Sequence, residues 1–216
     1  MKKYIFILAT ILMTACSSNN NSLFKTITYN TQINDKNLNL NYTFNAEIQL
    51  PDKNHSNQYA TLHDNIIISI LGSEFIKYSD KKALTIYADS SYAEYKKIYD
   101  EIFEYNPIEP TDTIHFATDI QGRVLYSDST IVSYQRTLYT YAGGAHGMNT
   151  KTNYVFNLKT GKLLTEEDLF GKDFERKIQK RLNEKANILR QQDMLPDEDI
   201  FYNKSNITPN TNLEIT

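Results

Sequence analysis

The chain has 216 residues, with 23 Lys and Arg against 26 Asp and Glu, 16 Tyr, no Trp and one Cys. A mildly acidic balance without a basic patch excludes nucleic acid as a partner, and a single cysteine excludes an intrachain disulfide. A chain of this length buries roughly 70% of its unfolded surface, so folding needs neither disulfide nor metal.

Residues 1–15 read as a secretory signal peptide: Lys2 and Lys3, an apolar run from Tyr4 to Met13, then small residues. The run is too short for a bilayer span, which takes ~20 apolar residues. Met13-Thr14-Ala15-Cys16 resembles a bacterial lipobox, where cleavage leaves a cysteine that carries acyl chains, although Met13 stands where leucine is usual. Acylation gives the lone thiol a use: each buried CH₂ adds ~0.8 kcal/mol of membrane affinity, and stable attachment takes more than one chain. The alternative is a plain signal peptide ahead of an incidental thiol. Residues 16–23 then form the lipidated Cys16 and a polar tether, Ser17 to Ser22. Cleavage removes Lys2 and Lys3 and leaves 21 basic against 26 acidic residues. The expected location is the cell envelope, outside the cytoplasm, with Ser17 compatible with the outer membrane of a diderm bacterium.

From Phe24 to Leu50 the pattern is strand-like. Leu38, Leu40, Tyr42, Phe44, Ala46, Ile48 and Leu50 alternate with polar neighbours, which predicts a half-buried antiparallel strand. The preceding run is its hairpin partner, with Asn34 to Asn37 as the turn and Pro51 closing the strand. Residues 56–72 read as a helix with Tyr59, Leu62, Ile66 and Ile70 on one face and Gly72 as the stop. A second helix is predicted from about Ser90 to Tyr105, with Tyr92, Tyr95, Ile98 or Tyr99, Ile102 and Phe103 as its stripe. Pro107 and Pro110 end it.

Strands resume at Thr113. Breaks at Gln121-Gly122 and near Asp128-Ser129 predict four sequential strands in an antiparallel meander, with Asn157 to Gly161 as a turn. Thr165-Glu166-Glu167-Asp168 has capping-box form, opening a last helix in which Phe174, Ile178, Leu182, Ala186 and Leu189 recur as a core-packing stripe. The class is therefore α+β, an antiparallel sheet with helices on one face.

The stretch Tyr139 to Phe170 raises the question of chemistry, because Gly143, Gly144, Ala145, His146 and Gly147 surround one imidazole with glycines. No serine sits in a G-x-S-x-G elbow, and His55, His63, His115 and His146 show no metal-ligand spacing. The glycine run lacks the Lys and Ser/Thr of a phosphate loop. Glu166, Glu167 and Asp168 suit the first turn of a helix. The glycines are best read as a turn between strands, with His146 donating a hydrogen bond across it. The reading implies no metal, no cofactor and no catalytic residue.

The motif of a tyrosine, Gly143-Gly144-Ala145-His146-Gly147, Asn153-Tyr154, Asn157-Leu158-Lys159-Thr160-Gly161-Lys162 and Leu169-Phe170 resembles an extracytoplasmic family of two linked domains of unknown function. The same pair forms the lysozyme-sensing outer half of RsiV-type anti-sigma factors and precedes the catalytic domain of PdaC-type peptidoglycan deacetylases. The resemblance implies an N-terminal α+β domain over 24–155 and a C-terminal domain over 156–216, the latter expected to be truncated at Thr216. Two departures follow. No sigma-binding segment or membrane span accompanies the module, and no deacetylase region does.

Two functional expectations result. The first is a non-catalytic, lipid-anchored binding module that engages a lysozyme-like muramidase or peptidoglycan. The alternative is an envelope hydrolase with His146 as general base.

Overall fold

The alternation of Leu40 to Leu50 is realised as a strand whose apolar residues are at most 3% exposed. In the computed structural model this strand, β2 (Leu40–Pro51), pairs antiparallel with β1 (Phe24–Asp35), from Phe24 opposite Pro51 to Asp35 opposite Leu40. The structure describes residues 23–36, 38–105 and 113–191; Cys16 with its tether, Asn37, Pro107, Pro110, the chain beyond Gln191 and the side chains of Ile102, Phe103 and Leu189 lie outside it.

Two helices follow β2. In α1 (Asn57–Ile70) the Ser56 side chain accepts from the Tyr59 amide, and Leu62, Ile66, Ile67 and Ile70 are buried. A short 3-10 turn over Ser73–Phe75 leads to α2 (Asp80–Tyr105). This helix starts ten residues before the expected Ser90, because Ala83, Leu84 and Ala88 are already buried at helical spacing. Tyr95 and Tyr99 continue the buried stripe, whereas Ile98 is exposed.

The remaining strands are β3 (Ile114–Ser127), β4 (Ile131–Tyr141) and β5 (Met148–Asn157). The sheet order is β1-β2-β3-β4-β5, and four helices complete an α+β architecture. The sheet is mixed rather than wholly antiparallel: β3 lies parallel to β2, with Asn41 beside His115 and Ile48 beside Gly122. A parallel neighbour needs a crossover connection, which α1 and α2 supply. Both helices pack on one face, over Tyr42, Phe44, Ile48, Phe116 and Ile120.

The expected break at Gln121-Gly122 does not occur, so three strands rather than four follow α2. Gly122 is buried inside β3 for reasons of space. A Cβ there would collide with the Tyr134 hydroxyl and lie 3.0 Å from Ile70 Cδ1 and 3.2 Å from Ile48 Cγ2. Glycine lets α1 and β4 close on the strand.

Four of the tyrosines share one use. Tyr95 donates to Ala117 O at 3.0 Å, Tyr99 to Leu38 O at 2.7 Å, Tyr134 to Gln49 O at 2.8 Å and Tyr154 to Ser69 O at 2.8 Å. Each ring packs on the apolar core while its hydroxyl satisfies a main-chain carbonyl. Burial pushes the Tyr134 phenol strongly up, and the Tyr42 phenol up to about 12.

A contact between an imidazole and a carboxylate ties α1 to α2. His63, 3% exposed, has Nε2 at 3.0 Å from Asp80 Oδ1, an electrostatic approach bent away from hydrogen-bond geometry, and Nδ1 at 3.3 Å from Asp64 Oδ1. His63 holds the Asp80 carboxyl below its ordinary value against the opposing effect of burial.

After β5, Asn157 Oδ1 accepts from the amides of Lys159 and Thr160, and Asn65 of α1 donates to Gly161 O at 2.8 Å. The turn is thereby fastened to α1. The expected last helix is two: α3 (Glu166–Phe170), with a complete Thr165–Asp168 capping box, and α4 (Phe174–Gln191). Gly171 at φ 78° and Asp173 at φ 65° separate them. The expected core-packing stripe is only partly buried: Ala186 is 5% exposed, whereas Phe174, Ile178 and Leu182 are half-buried.

Gly122→Ala should destabilise the fold by about 1–3 kcal/mol through overpacking, read as a lower urea midpoint with an unchanged slope. Because the Asp80 carboxyl is held low, its contribution to stability is present above pH 3.8 and lost as pH falls below that value. In Asp80→Asn, denaturation curves taken from pH 5 to pH 2.5 should show a weaker acid dependence than the natural chain.

Candidate functional site

Period two along β2 and β3 sends every second side chain to the face away from α1 and α2. Registers then assemble rows that no single strand contains. One row crosses all five strands as Asn30, Asn45, Asp119, Tyr139 and Asn149; the next is Thr28, Glu47, Gln121, Thr137 and Lys151. This face is polar and rich in side-chain amides.

Its centre lies on the parallel seam. Asn45 Nδ2 donates to Asp119 Oδ1 at 2.6 Å, joining residues 74 positions apart. A shallow depression of about 320 Å³ surrounds the pair, lined by Thr28, Asn30, Asn45, Glu47, Asp119 and Gln121. Glu47 and Gln121 are exposed and have no recorded hydrogen bond or ion pair among the described residues. Elsewhere the face is internally tied. Gln32 donates to Asn41 Oδ1 at 2.9 Å, Arg123 to Gln135 Oε1 at 3.0 Å and Gln135 to Asn153 Oδ1 at 2.9 Å. These bonds tie side chains of the same face outside the depression.

The glycine-rich stretch forms the loop between β4 and β5, at the end of the same face. Gly143 and Gly144 have φ of 81° and 88°. Gly147 lies against the Tyr139 ring so closely that any Cβ would overlap its edge and hydroxyl. Tyr141 OH donates to Gly144 O at 2.8 Å and fixes the loop. His146 does not bond across the loop as expected: its Nδ1 approaches only the neighbouring Gly147 O, at 3.4 Å, and the ring is exposed. Ala145 is exposed beside it. The imidazole has no carboxylate or hydroxyl partner among the described residues. Cys16 lies outside the described residues, and among those described no group of three or more His, Cys, Asp or Glu is arranged to hold a metal ion.

The glycine loop carries a local sequence signature and the depression does not. The polar alternation of β2 and β3 was visible, but the parallel pairing that sets Asn45 against Asp119 was not.

The chain matches no family model and no curated protein. Among solved structures it resembles a DUF3298 family member from Bacteroides fragilis, at 18% identity and a TM-score of 0.63, covering 81% of this chain and 70% of that one. A DUF3298 family protein from Pseudomonas aeruginosa is similar at 15% identity and a TM-score of 0.44, covering 79% of this chain and 68% of that one. The structural neighbours are thus DUF3298 family members, and the Bacteroides structure shows a shared fold.

Gly147→Ala should lower stability by about 1–3 kcal/mol by displacing the Tyr139 ring, whereas His146→Ala should change it by less than about 0.5 kcal/mol, as for an ordinary surface position. Thermal melts of the two variants check this contrast.

Proposed function

We propose that the protein is a non-catalytic binding module of the bacterial envelope, held at a membrane by acylated Cys16, whose polar sheet face takes the glycan of peptidoglycan. The observation that carries this reading is the exposed depression at the Asn45–Asp119 pair, lined by amides, carboxylates and hydroxyls. Sugar hydroxyls both donate and accept. Side-chain amides do the same, and carboxylates accept from two donors at once. The half-buried Tyr139 stands in the same row and offers an aromatic body with a polar tip.

Anchoring is supported by the signal-peptide pattern and the lipobox-like Met13-Thr14-Ala15-Cys16. Among the described residues no helix is long and apolar enough to cross a membrane. The hydrolase alternative draws no support from His146, because a general base needs a group that orients it. A lysozyme-like muramidase is the second envelope partner that the sequence motif suggests.

Two measurements test the proposal. Soluble protein should co-sediment with purified peptidoglycan, and Glu47→Ala with Gln121→Ala should weaken retention about tenfold or more, at roughly 0.5–1.5 kcal/mol per lost hydrogen bond, without lowering the melting temperature. Retention on an immobilised muramidase with none on peptidoglycan would replace the glycan by the protein partner. Labelled palmitate should enter the natural chain and not Cys16→Ser; equal labelling of both would remove the anchor.

A further inference from the structure

The two edges of the sheet are closed to different degrees. At one edge β5 carries Lys151, and the chain folds back on its end: Phe156 bridges Leu163, and the Leu164 amide donates to Val155 O at 2.7 Å. The other edge is β1, twelve residues long, which pairs with β2 without a register shift. From Thr26 to Asn34 it holds no charged residue and no proline, the means by which open edges are usually blunted. Its main-chain orientation follows from one bond. Leu23 O accepts from the Asp52 amide at 3.4 Å, so odd-numbered residues turn their N–H and C=O toward β2 and even-numbered residues turn theirs outward. Thr26, Thr28, Asn30, Gln32 and Asn34 thereby present a row of main-chain donors and acceptors, with no further strand beside them among the described residues. Ile27, Tyr29, Thr31 and Ile33 stand half-buried on the helix side of the same edge.

We propose that β1 pairs antiparallel with β1 of a second copy, about a two-fold axis at Asn30, joining the two sheets into one. Such an interface uses the same surface on both copies, so the strand must complement itself, and about Asn30 it does. Lys25 falls opposite Asp35 of the second copy, Ile27 opposite Ile33, Thr28 opposite Gln32 and Tyr29 opposite Thr31. Opposite charges meet at both ends, and β-branched and aromatic residues meet between them, the cross-strand pairs that stabilise an antiparallel ladder. Lys25 bonds Asp52 at 2.8 Å and stays exposed, so its ammonium has donors left for a second carboxylate. A slip of two residues in either direction loses both charge pairs. At the axis the two Asn30 residues, both turned outward, exchange their main-chain hydrogen bonds. An axis perpendicular to the sheet leaves both helical layers on one side and both polar faces on the other. The row Asn149, Tyr139, Asp119, Asn45, Asn30 then runs on into the second copy in reverse order. At about 4.8 Å per strand, three steps set the two Asn45 residues about 14 Å apart. A repeating polymer can occupy both depressions at once and gains avidity over a single site. That consequence rests on the glycan reading above; the pairing itself does not.

Oligomeric state tests the pairing with no glycan present. In analytical ultracentrifugation, soluble protein should pass from monomer to dimer as its concentration rises. Asn30→Lys and Asn30→Asp each set like charges opposite one another at the axis, and each alone should raise the dissociation constant about fivefold. Mixed in equal amounts, the two variants bring opposite charges together and should dimerise more tightly than either alone, a rescue that misfolding could not produce. Their melting temperatures in dilute solution should match that of the natural chain, as for a surface position. A protein that stays monomeric at millimolar concentration would overturn the proposal. So would a dimer that both substitutions leave unchanged, which assigns the contact to another surface. A dimer that responds as expected in a protein that peptidoglycan does not retain supports the pairing and removes the glycan reading alone.

Discussion

The parallel seam between β2 and β3 is the constraint on which the rest of the molecule depends. It joins two strands separated by more than sixty residues of helix and loop, and it aligns their alternation so that both apolar sets face the same way. Tyr42, Phe44, Ala46 and Ile48 thereby meet Phe116, Thr118, Ile120 and Gly122 under the helices. The same alignment sets Asn45 against Asp119 and Glu47 beside Gln121 on the other side. A slip of one residue would reverse both faces. Core and candidate site are therefore two consequences of one register.

The two faces satisfy their polar groups by different means. Under the helices, the hydroxyls of Tyr95, Tyr99 and Tyr134 terminate on main-chain carbonyls of strands and loops, whereas the buried Tyr42 hydroxyl has no hydrogen-bond partner among the described residues. On the open face, amides bond to amides and carboxylates within the plane of the sheet. That arrangement leaves exposed hydrogen-bonding groups at fixed spacing, the property a polar ligand requires.

Local signals in the sequence were legible where local physics decides. The β1–β2 alternation, the α1 cap at Ser56, the Asn157 turn and the Thr165 capping box all follow from neighbours in the chain. Misreadings arose where a distant partner decides. Gly122 looked like punctuation but makes room for Tyr134, Ile70 and Ile48. Residues 80–89 fold as helix because Ala83, Leu84 and Ala88 find a buried surface, an outcome set by tertiary packing. Apolar spacing in α4 announced a helix, yet spacing alone does not say what the apolar face meets. The candidate site belongs to the same class, since Asn45 and Asp119 are neighbours only in the folded sheet.

The account centres on the claim that the face opposite α1 and α2 recognises glycan. The most direct test is to titrate a soluble peptidoglycan fragment into isotope-labelled protein and follow amide and side-chain amide resonances. The account predicts shifts concentrated at Asn30, Asn45, Glu47, Asp119, Gln121 and Tyr139, with α1 and α2 unmoved. Perturbations confined to the helices or to α4, or none at millimolar fragment, would contradict it.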